Sequence, residues 1–329
     1  MNLGRPARVL VSGAARDGLG DAILTTAAGR ALEWVVLEDA FADPAQTVDA
    51  AFISRDITGL STKHTVLQPL AACHAVLRRS SQLAWVHTHS AGADRPIYAE
   101  LQARGVVVTT SSGANAAVVA QSALAGLLAL SRQFPALMAA QRERRWAPLV
   151  AGAQPPDLAG QTAVLVGWGP IARTLQPLLS LLGLRVIVVR QSAAPAAAGV
   201  PAVPFTALHS VLPGADWLVL CCPLNEQTRG LVDGQALQLL PRGAHVVNVA
   251  RGEVLVEAAL IEALQSGHVG GAYLDVFEHE PLGADSPLWA LPNVILTPHS
   301  AGNAARVAMI FASNLQRWLH GQPLAHEVA

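Results

Sequence analysis

Between residues 163 and 298 the chain carries six apolar runs, "AVLVG", "LRVIVV", "WLVLCC", "HVVNVA", "GGAYLDV" and "NVILTP", none of which alternates apolar with polar residues. A strand with one wet face has to alternate; a continuous run marks a strand covered on both faces, as in parallel sheets between two layers of helix. Helical patterns separate most of the runs. In "EVLVEAALIEALQSG", 253 to 267, the apolar positions Leu255, Ala258, Ala259, Ile261 and Leu264 have helical spacing and Gly267 supplies a stop. Residues 8 to 110 repeat the theme, with the β-like runs "RVLVSG", "AAFISR", "LAWVHT" and "GVVVTT" between Ala/Leu-rich stretches. The chain has 329 residues, and single cores stop growing at roughly 250 to 300. Two α/β domains are therefore expected. A helix over about 116 to 140 and the Pro/Gly-rich stretch "RERRWAPLVAGAQPPDLAG" lie between the two series. A last helix, about 303 to 320, carries Ile310, Phe311, Leu315 and Trp318 and is expected to fold back onto the first domain.

Charge excludes two classes of partner. With 22 basic against 23 acidic residues, a net charge of −1 and no Lys/Arg block, nothing matches a nucleic-acid backbone or an anionic membrane. The longest apolar segment, "AAVVAQSALAGLLAL" at 116 to 130, is shorter than the roughly 20 residues that span a bilayer and contains Gln121 and Ser122. Cys73, Cys221 and Cys222 lack zinc-type spacing, and the last two fall inside an apolar run, which reads as buried thiols in a reducing compartment. No export signal follows Arg5 and Arg8, so a cytoplasmic protein is expected. His87 and His89 form an H-x-H pair without acidic neighbours and read as packing or rim polarity, with no metal assigned.

One glycine turn carries chemistry. "VLVGWGPIA" places Gly167, Gly169 and Ala172 in G-x-G-x-x-A spacing between a strand and a helix, with Pro170 at a first helical position followed by Ile171. Gly167 allows a tight turn, Gly169 lets the backbone approach a pyrophosphate, and Ala172 permits close helix–strand packing. NAD-selective sites of this kind end the second strand in Asp or Glu. Here "VIVVRQS" puts Arg190 there with Ser192 nearby, so NADP(H) is favoured over NAD(H); the alternative is a solvated Arg190 with NAD still used. Pro177 falls inside the following helix, where a proline is costly and is expected to kink it. A second cluster, "SGAARDGLG" at 12 to 20, lacks this spacing and a Walker lysine and reads as a plain loop.

Ligands of open parallel sheets bind at the carboxyl ends of the strands, so polar residues just beyond apolar runs are informative. Arg251 follows "HVVNVA", Glu280 lies beyond "GGAYLDVFEH", and His299 follows "NVILTP". Singly, each has a structural explanation: an ion pair, a solvated loop acid, a hydrogen-bonded histidine. Jointly they fit hydride transfer to a ketone, which leaves charge on oxygen and needs a positioned proton donor; a carboxylate beside histidine favours the imidazolium, and arginine polarises a carbonyl while clamping a neighbouring carboxylate. A 2-oxo acid offers both groups. Cys222, Pro223, Val249 and Ala250, at the ends of their runs, complete the cofactor-facing candidates.

"GWGPIA", "VNVARGEVL", "LDVFEHEPL" and "TPHSAG", in this order, resemble the D-2-hydroxyacid dehydrogenases over roughly 85 to 320, and come nearest to glyoxylate/hydroxypyruvate reductases. The resemblance implies two Rossmann-like domains: a flavodoxin-like substrate domain, 1–112 completed by 301–329, and a doubly wound dinucleotide-binding domain, 113–300. It implies that Arg251 binds substrate, that His299 is the general acid/base, and that Glu280 orients it. It further implies that Asp275 contacts the nicotinamide carboxamide and that N–H groups of Ala91 and Gly92 hold the substrate carboxylate. A homodimer built on the 116–140 helix is implied as well, with Trp146 similar to an aromatic residue that reaches a neighbouring subunit's site. Ser90-Ala91-Gly92 and Gln121-Ser122 depart from the pattern and bear on substrate identity. The activity expected is reduction of a small 2-oxo acid, glyoxylate or hydroxypyruvate; the alternative is a cofactor-sensing, partner-binding protein of corepressor type on the same fold.

Overall fold

A computed structural model describes residues 5–19, 32–62, 65–149, 154–302 and 307–328. The chain divides into two compact units, Met1–Asn115 with Ala304–Ala329, and Ala116–Asn303.

The first unit is built on β1 (Ala7–Val11), β2 (Leu32–Val36), β3 (Ala50–Ile53), β4 (Trp85–Thr88) and β5 (Val107–Thr110). They lie in the order β2-β1-β3-β4-β5, all parallel, which is the flavodoxin-like order. Successive residues point to opposite faces, and here both faces are dry. Leu10, Ile53 and Val86 join one core with Val76 and Leu77 of the Leu70–Arg79 helix. Val9, Phe52 and Trp85 join another with Phe311, Leu315 and Trp318. The Phe311 ring stacks on Phe52 with centroids 4.4 Å apart and on Trp85 at 5.5 Å. The C-terminal helix that supplies it, Val307–Leu319, thus covers one face of this sheet; the expected start at 303 lies outside the described residues.

The second unit contains β6 (Thr162–Val166), β7 (Arg185–Arg190), β8 (Ala202–Pro204), β9 (Trp217–Leu220), β10 (Ala244–Asn248), β11 (Val269–Leu274) and β12 (Val294–Leu296). Their order, β12-β11-β10-β9-β6-β7-β8, is the doubly wound dinucleotide-binding order with one strand added, again entirely parallel. Ala163 and Leu165 face one core with Val119 and Leu127, while Val164 and Val166 face the other with Leu260 and Leu264. β2 and β8 fall outside the six runs and their first-unit counterparts; both are edge strands with little fully buried surface, so the hydrophobic signal weakens there.

Three expectations need correction. The 116–140 helix is two helices, Ala116–Ser131 and Phe134–Arg142, bent by 71° about Gln133 at φ 56°. Pro135 is the cause, because proline belongs in a first helical turn and not in an interior. The 253–267 pattern begins with a short 3-10 turn, Gly252–Val254, and becomes α-helical only over Glu257–Gln265; Leu255 is buried before the helix starts. Gly267, at φ +66°, does end it. Residues Gly13–Leu19 form a helix and not a loop, with Gly20 outside the described residues. The Pro170–Leu181 helix runs on through Pro177; that residue is exposed, so the carbonyl left without its N–H partner is on the solvent side. No single described helix is long and apolar enough to cross a membrane.

Candidate active site

The turn after β6 is shaped by what its glycines lack. Gly167 has φ +108° and donates its N–H to the Val189 carbonyl at 2.7 Å; a Cβ there would lie 2.8 Å from the Cα and the N of Cys222. Only glycine fits against that backbone. Gly169 is the N-cap of Pro170–Leu181, no side chain caps the helix, and nothing lies within 4 Å of where its Cβ would be. The first-turn N–H groups have no partner within the helix and the dipole there is positive, so the turn has the donors and the clearance that a pyrophosphate needs. Pro170 is exposed, Ile171 packs against the core, and Ala172 is fully buried.

Arg190 is half-buried at the end of β7, and no carboxylate pairs with it among the described residues. Exposed Ser192 accepts the Ala194 N–H at 3.2 Å. Beyond β9, the Cys222 side chain joins the core, where burial pushes its thiol up to about 12, and the Pro223 carbonyl accepts the Thr228 hydroxyl at 2.7 Å. Val249 and Ala250 likewise bury their side chains and can offer a ligand only backbone. All three cysteines are buried and unbridged.

Across the sheet the next three strand ends carry the charged residues. Arg251 follows β10; its Nη1 donates to the Ala250 carbonyl at 2.8 Å, and buried Asn248 braces the turn by donating to the Arg251 carbonyl at 3.2 Å while accepting the Ala250 N–H at 3.0 Å. Gly252 then presses on the strand-end loop of β11. A Cβ at 252 would come 1.9 Å from the Phe277 carbonyl carbon and 2.3 Å from the Glu278 N, so any side chain would force the Arg251 turn away from that loop. The loop is held from its other side by an exchange in which Glu257 N–H donates to Glu278 (3.0 Å) and Glu278 N–H to Glu257 (3.2 Å). Burial raises the Glu257 pKa, and the Glu278 N–H opposes the rise.

Glu280 closes the constellation. Its Oε1 accepts the Phe277 N–H at 3.2 Å and its Oε2 meets His299 Nδ1 at 2.8 Å. The Glu280 side chain is 14% exposed and that of His299 47%, so the carboxylate is anchored and the ring protrudes. With Nδ1 engaged, Nε2 is the nitrogen that an incoming group meets. His299 has φ 50°, and its N–H donates to the Asp275 carbonyl at 2.8 Å. The buried Asp275 carboxylate accepts from Thr297 Oγ1 (2.6 Å), Ser300 N (2.9 Å) and Ala301 N (3.1 Å). Burial raises its pKa, and those bonds oppose the rise. Gly252 and Thr297 were not foreseen, although Gly252 directly follows Arg251 and Thr297 lies two residues before His299.

Ala91 and Gly92 belong to the other unit, just past β4. Ser90 Oγ donates to the Gly92 carbonyl at 2.6 Å, which forms the turn, and neither the Ala91 nor the Gly92 N–H meets an acceptor among the described residues. His87 is fully buried between Thr109 (2.8 Å) and Ser111 (3.0 Å), and burial lowers its pKa to about 3. His89 bonds Thr58 at 3.0 Å.

Residues 124–301 match the family described as D-isomer specific 2-hydroxyacid dehydrogenase, NAD binding domain. A D-3-phosphoglycerate dehydrogenase of Mycobacterium tuberculosis is 35% identical over 230 residues, 70% of this chain; the matched stretch spans 43% of that longer protein. A glyoxylate/hydroxypyruvate reductase of Arabidopsis thaliana is 31% identical over 243 residues, covering 73% of this chain and 74% of that one. Among solved structures, a D-isomer specific 2-hydroxyacid dehydrogenase of Xanthobacter autotrophicus in complex with NADPH and MES has 31% identity and a TM-score of 0.74, with 98% of both chains covered. A dinucleotide-type glycine turn, an arginine and a histidine–glutamate pair thus occupy one sheet edge of a chain whose likeness to this group extends over most of its length, and the chain belongs to the D-isomer specific 2-hydroxyacid dehydrogenase family.

Proposed function

We propose that this protein reduces small 2-oxo acids, with glyoxylate and hydroxypyruvate the leading substrates, and uses NADP(H) in preference to NAD(H). The observation that carries the reading is the His299–Glu280 pair at 2.8 Å, on the same sheet edge as the Gly167 turn. The Gly167 turn and Arg190 would hold the cofactor, whose nicotinamide would supply the hydride when bound. Arg251 holds the substrate carboxylate and polarises the carbonyl, and His299 Nε2 gives a proton to the carbonyl oxygen as charge develops there. Glu280 fixes the ring through Nδ1. Products are D-2-hydroxy acids where a stereocentre forms. The half-buried Arg190 is suited to a 2′-phosphate, and the NADPH-bound relative from Xanthobacter supports that choice. The first unit is read as the substrate domain, with Ala91 and Gly92 N–H groups as its anion ligands. Exposed Phe134, Met138 and Trp146 support a homodimer through the broken helix pair, to be checked by light scattering.

Absorbance at the nicotinamide band with glyoxylate, hydroxypyruvate, pyruvate and bulkier 2-oxo acids, each with NADPH and NADH, tests the reading. His299→Asn is expected to lower kcat by about 10²- to 10⁴-fold, the range of general acid catalysis, while NADPH affinity stays within about threefold. A folded, NADPH-binding protein inert to the whole panel would overturn the enzymatic reading in favour of cofactor sensing.

A further inference from the structure

The left-handed backbone of His299 needs an external cause. A residue other than glycine keeps such a conformation only where its surroundings over-determine it. Here one buried side chain does so: Asp275, 3% exposed, receives bonds from Thr297, Ser300 and Ala301, and its carbonyl receives the His299 N–H. An ionised carboxylate only accepts, so the Thr297 hydroxyl spends its single proton on Asp275 and has lone pairs left for a donor. That donor is present. The Tyr273 phenol lies 3.0 Å from Thr297 Oγ1.

Tyr273 reaches Thr297 because a helix makes room for its ring. It is 4% exposed and lies against Gly126 of the Ala116–Ser131 helix, where a Cβ would come 2.3 Å from the ring. Ser122 of the same helix borders the phenol oxygen. Resting on the catalytic reading above, we propose that Tyr273 and Thr297 are positioning residues: a directed relay, Tyr273 to Thr297 to Asp275, holds the 297–301 turn so that His299 meets Glu280 and presents Nε2. Neither residue touches the reacting atoms in this scheme. Their hydroxyls act through the Asp275 carboxylate, which keeps its full set of donors and therefore its hold on the turn.

The test uses the full chain with NADPH, as wild type, Thr297→Val, Thr297→Ser and Tyr273→Phe. Imidazole resonances of labelled protein are followed at fixed pH beside steady-state kinetics, with the His299 signal assigned by its loss in His299→Asn. Thr297→Val is expected to displace the His299 signal and to lower kcat roughly tenfold, since small misplacements of a reacting group suffice for losses of that order, with NADPH affinity within about twofold. Thr297→Ser restores both readouts. Tyr273→Phe, which removes one hydroxyl and leaves the ring, gives a smaller change of the same kind. A folded Thr297→Val with wild-type His299 signals and kcat would overturn the relay, as would a Thr297→Ser as impaired as the valine variant. If the wild type reduces no 2-oxo acid, the catalytic reading fails, and the His299 signal still decides the relay.

Discussion

β1 and β6 occupy the same place in their respective sheets. Each is the first strand of its unit, has parallel neighbours on both sides, and runs directly into a helix. The two exits are nevertheless built in opposite ways. After β1, Ser12 Oγ accepts the Ala15 N–H at 3.0 Å and lies 3.2 Å from Ser54 Oγ, so a helical donor is satisfied by the chain itself. After β6, Gly169 brings no side chain to the helix N-terminus, and Gly167 folds the turn flat against Cys222. The strands beside them differ too, since β2 ends in apolar Val36 and β7 in Arg190. Strand order therefore does not make a phosphate site. What sets the proposed phosphate site apart is the missing cap and the cation at the neighbouring strand end.

The sharpest attack on that comparison is alanine at one glycine of each exit, Gly167 after β6 and Gly13 after β1. Gly167→Ala sets a Cβ at φ +108° and 2.8 Å from backbone that cannot swing aside, which combines a left-handed penalty of about 1–2 kcal/mol with a steric displacement of the turn. NADPH affinity is expected to fall by about 100-fold or more. Gly13→Ala meets nothing within 4 Å and removes a glycine from a helix, worth up to about 1 kcal/mol of stability in the other direction. Calorimetric titration with NADPH, beside thermal melts, checks both. Similar losses in the two variants would mean that the exits are functionally alike.

Next in size is the strand-end cation. A charge-assisted hydrogen bond contributes roughly 1.5–3 kcal/mol, so Arg190→Ala should weaken NADPH by about 10- to 100-fold while NADH changes by less than about threefold. The ratio of kcat/KM for the two cofactors measures this without reference to absolute activity. An unchanged ratio would return Arg190 to the role of a surface cation.

What was legible in the sequence follows the same division. Doubly buried strands were plain, because a run such as "WLVLCC" has no wet face to interrupt it. Residues at strand ends were plain for the complementary reason, since Arg251, Glu280 and His299 break apolar runs at points where a parallel sheet exposes its carboxyl edge. Contacts between distant segments were not. Nothing near Gly252 announces that Phe277 backbone will lie against it, and Gly126 looks like a weak spot in a helix until the Tyr273 ring is seen to fill its missing Cβ. Asp275 shows both limits, for its place beyond β11 was readable while its grip on Ser300 and Ala301 belongs to the folded turn.

A cap can also be installed where it is lacking. Gly169 has φ −81° and ψ −171°, the extended geometry that an N-cap serine prefers, and open space at its Cβ. Gly169→Ser should stabilise the apo protein by only a few tenths of a kcal/mol, because glycine is itself a tolerable cap. The new hydroxyl would take a donor meant for phosphate and crowd its approach, and a loss of about tenfold in NADPH affinity is expected. Tighter binding would show that the hydroxyl joins the anion site instead of closing it.

The smallest effect belongs to the exit that already has its cap. Ser12→Ala leaves the Ala15 N–H without its acceptor and the buried Ser54 hydroxyl without its partner, a combined cost of about 1–2 kcal/mol by the usual worth of a cap and a buried hydrogen bond. Because the lost bonds serve only the first unit's framework, the cost should appear in urea denaturation and leave the NADPH dissociation constant where it was. The same variant distinguishes two accounts of the β1 exit. If Ser12 only completes the helix, kcat and KM for the 2-oxo acid stay at wild-type values and the denaturation midpoint falls. If the β1 exit holds a ligand of its own, KM rises by more than the stability change explains, and the contrast between the two strands is lost.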